Sequence, residues 1–175
     1  MERAIHFKLK DGDRYTGMFP TATGKNLTVD KHADLSKTLI VLPGVVKDYN
    51  WQAAKIAKAL QGQTREQCAR NIWEFCYWYF QYHLDKPNTE QIRTPARAWA
   101  DRKAGIDCDC FSVLVGSILT NMTNPQTGQR GIPYGFRIAK YHDPLQPNPP
   151  FQHIYVFVPR GQGHLIIDPV MDRFN

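Results

Sequence analysis

After Cys108 come Phe111, Leu114, Val115, Ile118, Leu119 and Met122, apolar residues spaced by three and four. That spacing puts one apolar face on an α-helix, and the other elements must be arranged so as to cover it. Asp107 stands where an N-cap belongs, because its carboxylate can accept the unpaired amide hydrogens of a first turn. Cys108 then falls in that first turn on the core side. A thiol there feels the partial positive end of the helix, which favours the thiolate. A thiolate at a helix start is a nucleophile in need of a base, and the remaining chain can be searched for one.

With 175 residues, 42% of them hydrophobic, the chain is expected to be globular and to build a core without staples. No apolar run approaches the ~20 residues of a membrane helix, and the N-terminus lacks the apolar segment of an export signal. The expectation is a cytoplasmic protein with no membrane partner. The four cysteines, at 68, 76, 108 and 110, do not have the paired C-x-x-C spacing of a metal site. Cys68 and Cys76 fall in one predicted helix and read as small core residues. The net charge of +6 invites a nucleic-acid partner. The basic residues are dispersed, however, the densest group being Arg93, Arg97, Arg102 and Lys103. No zinc-finger spacing or RNP-like aromatic motif accompanies them, so a solvated surface is the better reading.

Residues 1–50 read as a β-type or irregular lead-in and residues 51–175 as the main domain. Ile5 to Lys10 alternates, Asp11-Gly12-Asp13 turns, and Tyr15 to Phe19 is placed as a returning hairpin strand. Thr38 to Leu42 and Val45-Val46 flank Pro43-Gly44, which reads as a short strand and turn. A helix is predicted over 51–60 with Asn50 as its cap. A second starts at Thr64, with Thr64 and Gln67 at capping-box spacing. Its face of Ala69, Ile72, Trp73, Cys76, Tyr79 and Phe80 reads as core, and Pro87 is expected to stop it. Residues 85–104 read as a helical turn plus loop in which Trp99 packs. After the Cys108 helix come three strand signals, at 135–141, 151–158 and 163–168, separated by Pro- and Gly-rich connectors. Helices followed by an antiparallel meander indicate an α+β domain.

Thiol-based acyl transfer needs a thiolate, an imidazole to move its proton, and a third group to orient the imidazole. His153 lies mid-strand and Asp168 ends the next strand. Antiparallel pairing of the two strands can bring these side chains together, and a sheet packed on the helix N-terminus would face His153 toward Cys108. Singly, each residue has an ordinary explanation: a buried thiol, a half-buried core histidine, a turn aspartate before Pro169. Together, three suitable residue types in suitable settings favour a site.

Gly105-Ile106-Asp107-Cys108-Asp109-Cys110-Phe111-Ser112 resembles the Cys motif of the transglutaminase-like superfamily of cysteine proteases and acyl transferases. Gly131-Ile132-Pro133 before a strand, His153 in an aromatic strand and the Ile167-Asp168-Pro169 ending resemble that family's later blocks, in the same order. Thr94-Pro95 is similar to bacterial and phage-encoded members. The resemblance covers roughly residues 64–175, and its specificity comes from the set rather than from any one block. It implies a papain-like core, with N-terminal helices packed on a C-terminal antiparallel sheet. It further implies Cys108 as nucleophile, His153 as base and Asp168 as orienter. The position two after the nucleophile is usually acidic in that family, and here it is Cys110. The activity implied is hydrolysis of a protein or peptide amide through a thioester, by a cysteine peptidase or amidase with no cofactor or metal. Protein-glutamine acyl transfer is the alternative, and a non-catalytic structural or virion module on the same fold is the third reading. Virion or cell-wall association is the setting that a phage or bacterial member would imply.

Overall fold

The computed structural model describes residues 9–24, 35–85, 91–141, 145–146 and 148–175, with the backbone of 27–28. The central element is the helix anticipated at Cys108. It runs Cys108–Asn121, and every residue from Cys108 to Leu119 is buried. Burial on all sides explains why Val113, Gly116 and Ser117, off the main apolar stripe, are also small or apolar. Numbered in chain order, this is α5. Packed against it are α1 (Leu35–Tyr49), a 3₁₀ turn at Asn50–Ala53, α2 (Ala54–Ala59) and α4 (Pro95–Asp101).

The strand and turn expected at Thr38–Val46 are replaced by the middle of α1, which continues through Pro43. Its buried residues are Thr38, Leu42, Val45 and Val46, a spacing of four, three and one that marks a helical face. Proline removes the hydrogen bond to the carbonyl of Leu39. Pro43 and Gly44 both lie on the exposed side, where water can replace that bond. Asn50 does not cap the next helix either: it is the first residue of the 3₁₀ turn, and its side chain turns back to α1. Its Nδ2 donates to the carbonyls of Val46 and Lys47, at 2.9 and 3.0 Å, and so closes the C-terminus of α1.

The returning strand placed at Tyr15–Phe19 is likewise absent, and residues 5–8 of its expected partner strand lie outside the described residues. A 3₁₀ turn over Asp13–Tyr15 follows Gly12, whose φ of +82° favours glycine. A Cβ there would also meet the Trp99 ring at 3.1 Å. The turn delivers Tyr15 and Phe19 into an aromatic cluster with Phe75, Tyr79, Phe80 and Trp99. Phe19 stacks on Trp99 at 5.2 Å, and Tyr15 meets Phe75 edge-on at 4.9 Å. Tyr15, Phe19 and Leu42 therefore share one core with residues 51–175.

Helix α3 (Arg65–Tyr79) has the expected buried face of Ala69, Ile72, Trp73, Cys76 and Tyr79. Thr64 accepts the Gln67 amide hydrogen at 3.1 Å, but Gln67 Oε1 returns to the Gln63 amide instead of to Thr64. The capping box is thus displaced by one residue. The helix ends at Tyr79, well before Pro87, which lies outside the described residues.

Two antiparallel sheets complete the described fold. A small one pairs β1 (Leu27–Thr28) with β2 (Gln91–Ile92). The larger is a meander of β3 (Gly135–Ala139), β4 (His153–Arg160) and β5 (Gly163–Ile167) in the order 3-4-5. Arg160 pairs with Gly163, so a two-residue loop joins β4 to β5, with Gly161 at φ +55°. Buried Ile154, Val156 and Val158 alternate with less buried Tyr155 and Phe157, and α5 packs on β4 while α3 packs on β5. The domain is α+β. No helix among the described residues is long and apolar enough to cross a membrane.

Candidate active site

The approach to Cys108 is set by a parallel pairing of two extended segments. Gln81 donates its amide to the Arg102 carbonyl at 2.7 Å, Ile106 donates to the Gln81 carbonyl at 3.0 Å, and His83 donates to the Ile106 carbonyl at 3.1 Å. The segments lie so close that a Cβ on Gly105 would sit 2.4 Å from the His83 Cβ, and Gly105 itself has φ +113°. Only glycine fits there. Asp107 then takes the extended backbone of an N-cap, with φ −95° and ψ −173°, but its side chain caps no amide. The sequence expectation of a carboxylate cap is corrected accordingly: Asp109 Oδ1 instead accepts the Cys110 amide hydrogen at 2.6 Å. Ser112 Oγ donates back to the Cys108 carbonyl at 2.9 Å, tightening the first turn. Cys108 is 7% exposed, and all four cysteines are thiols rather than disulfides.

Cys110 lies in a different environment. Its sulfur accepts from the Arg93 amide at 3.2 Å and from Arg93 Nη1 at 3.4 Å, and the thiol lies 3.4 Å from the Gln91 carbonyl. Arg93 also bonds Asp85 at 3.4 Å and Asp101 at 3.3 Å. Burial first, then the charges of Asp107 and Asp109, push the Cys110 thiol well above its ordinary range. Burial opposes the charge on Arg93, yet Cys110, Asp107 and Asp85 together hold its guanidinium charged more firmly than usual. Asp107, Asp109 and Cys110 bring metal-ligand types of atom within 4.8 Å of one another. Arg93 already supplies positive charge there, so the cluster reads as an internal ionic plug behind the α5 N-terminus. Sequence reasoning counted Arg93 among dispersed surface charges and missed this role. The only local hint was the alternation of Arg93, Arg97 and Asp101 at steps of four.

His153 and Asp168 meet directly. Nε2 of His153 lies 2.7 Å from Asp168 Oδ2, with the residues 3% and 6% exposed. A carboxylate only accepts, so Nε2 carries the shared proton and Nδ1 keeps the lone pair in the neutral ring. Nδ1 is buried and has no hydrogen-bond partner among the described residues. The imidazole is flanked by Tyr141 at 5.9 Å and Tyr155 at 6.1 Å, both within 25° of parallel. Asp168 Oδ1 accepts the Val170 amide hydrogen at 3.2 Å. The β4–β5 hairpin joins these residues across fifteen positions: Val156 pairs with Ile167, and Asp168 follows directly after the strand.

Of the three residues singled out in the sequence, the structure brings His153 and Asp168 into hydrogen-bond contact. Cys108 is related to them through its element, because α5 packs on the strand that carries His153. Trp73, anticipated as core, also reaches this region through its indole N–H. No family model, curated protein or solved structure matches the chain.

Proposed function

We propose that the protein is a cysteine-dependent amide hydrolase, a peptidase or amidase, on a papain-like core of transglutaminase-like type. The observation that carries the reading is the His153–Asp168 pair. Its carboxylate fixes the ring tautomer and leaves a buried Nδ1 lone pair unused, on a strand packed against the helix that Cys108 begins. A histidine that was merely satisfying core polarity would be expected to bond at both nitrogens.

In this mechanism Nδ1 of His153 takes the Cys108 proton, giving a thiolate and an imidazolium held by Asp168. The sulfur attacks the amide carbonyl and a C–S bond forms. Negative charge on the carbonyl oxygen is held in part by the Cys108 amide at the helix N-terminus. The imidazolium gives its proton to the departing amine as the C–N bond breaks, leaving a thioester. His153 then deprotonates water, which attacks the thioester. The C–S bond breaks, a carboxylic acid leaves, and the thiol is restored. Amine attack at the same thioester would be transglutamination.

The test is a screen of peptide, isopeptide and peptidoglycan-peptide substrates, with and without a labelled primary amine. Cleaved or deamidated products made by the native protein and abolished in Cys108→Ala support the proposal. Stable amine adducts as the main product would move the assignment to acyl transfer. The same products from Cys108→Ala would refute the thiol mechanism.

A further inference from the structure

We infer that Trp73 is a positioning residue for the His153–Asp168 pair, an inference that rests on the triad proposed above. The indole Nε1–H donates to the main-chain carbonyl of Asp168 at 2.9 Å in a buried setting. Both carboxylate oxygens of Asp168 are already committed, Oδ2 to His153 and Oδ1 to the Val170 amide. Those bonds orient the carboxylate but do not hold the backbone from which it projects. The strand ladder does not hold it either, since β5 ends at Ile167. The Asp168 carbonyl receives one other backbone donor, the Met171 amide, at a long 3.2 Å. The indole is the shorter bond and comes from a different element.

That element is tied to the segment after Asp168 by further contacts. Trp73 stacks on Tyr77 at 4.6 Å, the Tyr77 hydroxyl lies 3.3 Å from Asp172 Oδ1, and Phe174 packs 6.3 Å from the Trp73 ring. Arg70, one turn earlier on the same face, covers Phe174 at 4.8 Å. One face of α3 thus holds the segment that follows the catalytic-type aspartate, and the N–H of Trp73 fixes the aspartate itself. Packing alone would be met by phenylalanine; the directed donor is what only tryptophan supplies here.

Trp73→Phe keeps an aromatic ring in the stack and deletes the donor. Benzothienylalanine at position 73, with sulfur in place of N–H, deletes the donor while keeping the shape. The first readout is the proton resonance of His153 Nε2–H, assigned by its loss in His153→Gln. It needs no substrate. Both variants should shift it and speed its exchange with water at unchanged circular dichroism. The second is steady-state kinetics on the best substrate of the screen. Loss of one hydrogen bond predicts a fall in kcat of about 3- to 10-fold at nearly constant KM. In an Asp168→Ala background the same substitution should cost nothing more. An unmoved resonance, or an equal kinetic loss with and without Asp168, overturns the inference. A native protein that shows the resonance, and its shift in the variants, yet turns over nothing would leave the positioning in place and refute the catalytic reading instead.

Discussion

Asp168→Asn changes one oxygen to an amide nitrogen, and the structure states why that small change cannot be absorbed. The native carboxylate accepts from two donors, His153 Nε2 at 2.7 Å and the Val170 amide at 3.2 Å. An asparagine side chain has one accepting oxygen and one donating nitrogen, so it cannot serve both. If the oxygen stays on Val170, the NH₂ meets Nε2 and drives the ring proton to Nδ1, the atom needed by the thiol. If the oxygen turns to His153, two donors confront each other at Val170. Either arrangement forfeits one buried, charge-assisted hydrogen bond, about 1.5–3 kcal/mol, or about 10- to 160-fold in kcat/KM. His153→Ala removes the proton carrier itself and should cost about 10²- to 10⁴-fold. The assay is kcat/KM for both variants on one substrate, with thermal melts to confirm folding. Asp168→Asn at the native rate, or below His153→Ala, would refute the reasoning.

Other outcomes follow from the same geometry. Cys108→Ala should abolish turnover while leaving the melting temperature within a few degrees, whereas Cys110→Ser should keep activity and lose about 1–2 kcal/mol of stability in denaturant melts. Gly105→Ala combines a left-handed φ with a 2.4 Å approach to the His83 Cβ, and should cost about 2–4 kcal/mol in the same melts. Burial first, then the charge of Asp107, raises the Asp85 carboxyl against the pull of the Gln91 amide and Arg93. A carboxyl raised in the folded state favours folding when protonated, and that advantage fades as pH rises from the unfolded value through the folded one. The stability of Asp85→Asn relative to the native protein should therefore improve as pH rises above about pH 4, and a flat difference would contradict the raised carboxyl.

The parts of this fold that were legible in the sequence are those whose partners are nearly uniform. Helices α3 and α5 bury long apolar faces, so their period is plain in the spacing of Ala69, Ile72, Trp73 and Cys76 and of Phe111, Leu114, Val115 and Ile118. The meander was legible because Ile154, Val156 and Val158 alternate with their neighbours. Helix α1 was misread because Pro43-Gly44 carries a strong local turn signal, while the compensating fact, exposure of that side of the helix, is tertiary. The spacing of Thr38, Leu42, Val45 and Val46 would have revealed it. Cys108, His153 and Asp168 could be proposed from residue type and order. The indole bond from Trp73 spans 95 residues, and the burial of Arg93 depends on Asp85, Asp101 and Cys110 converging from separate segments. The first leaves no trace in local pattern, and the second leaves only the spacing of Arg93, Arg97 and Asp101.

The most direct test of the Cys108–His153 pair is the rate of thiol alkylation, site by site, in the native protein and in His153→Ala. Substoichiometric iodoacetamide and peptide mapping from about pH 5 to about pH 9 give the rate at each cysteine. Selectivity alone does not decide the matter, because Cys108 is 7% exposed while Cys68, Cys76 and Cys110 are at 0%. Dependence on the imidazole does. The pair predicts that Cys108 in the native protein reacts even near about pH 6, at least ~10-fold faster than Cys108 in His153→Ala. Equal rates at Cys108 in the two proteins, both rising only as an ordinary thiol ionises, would contradict it.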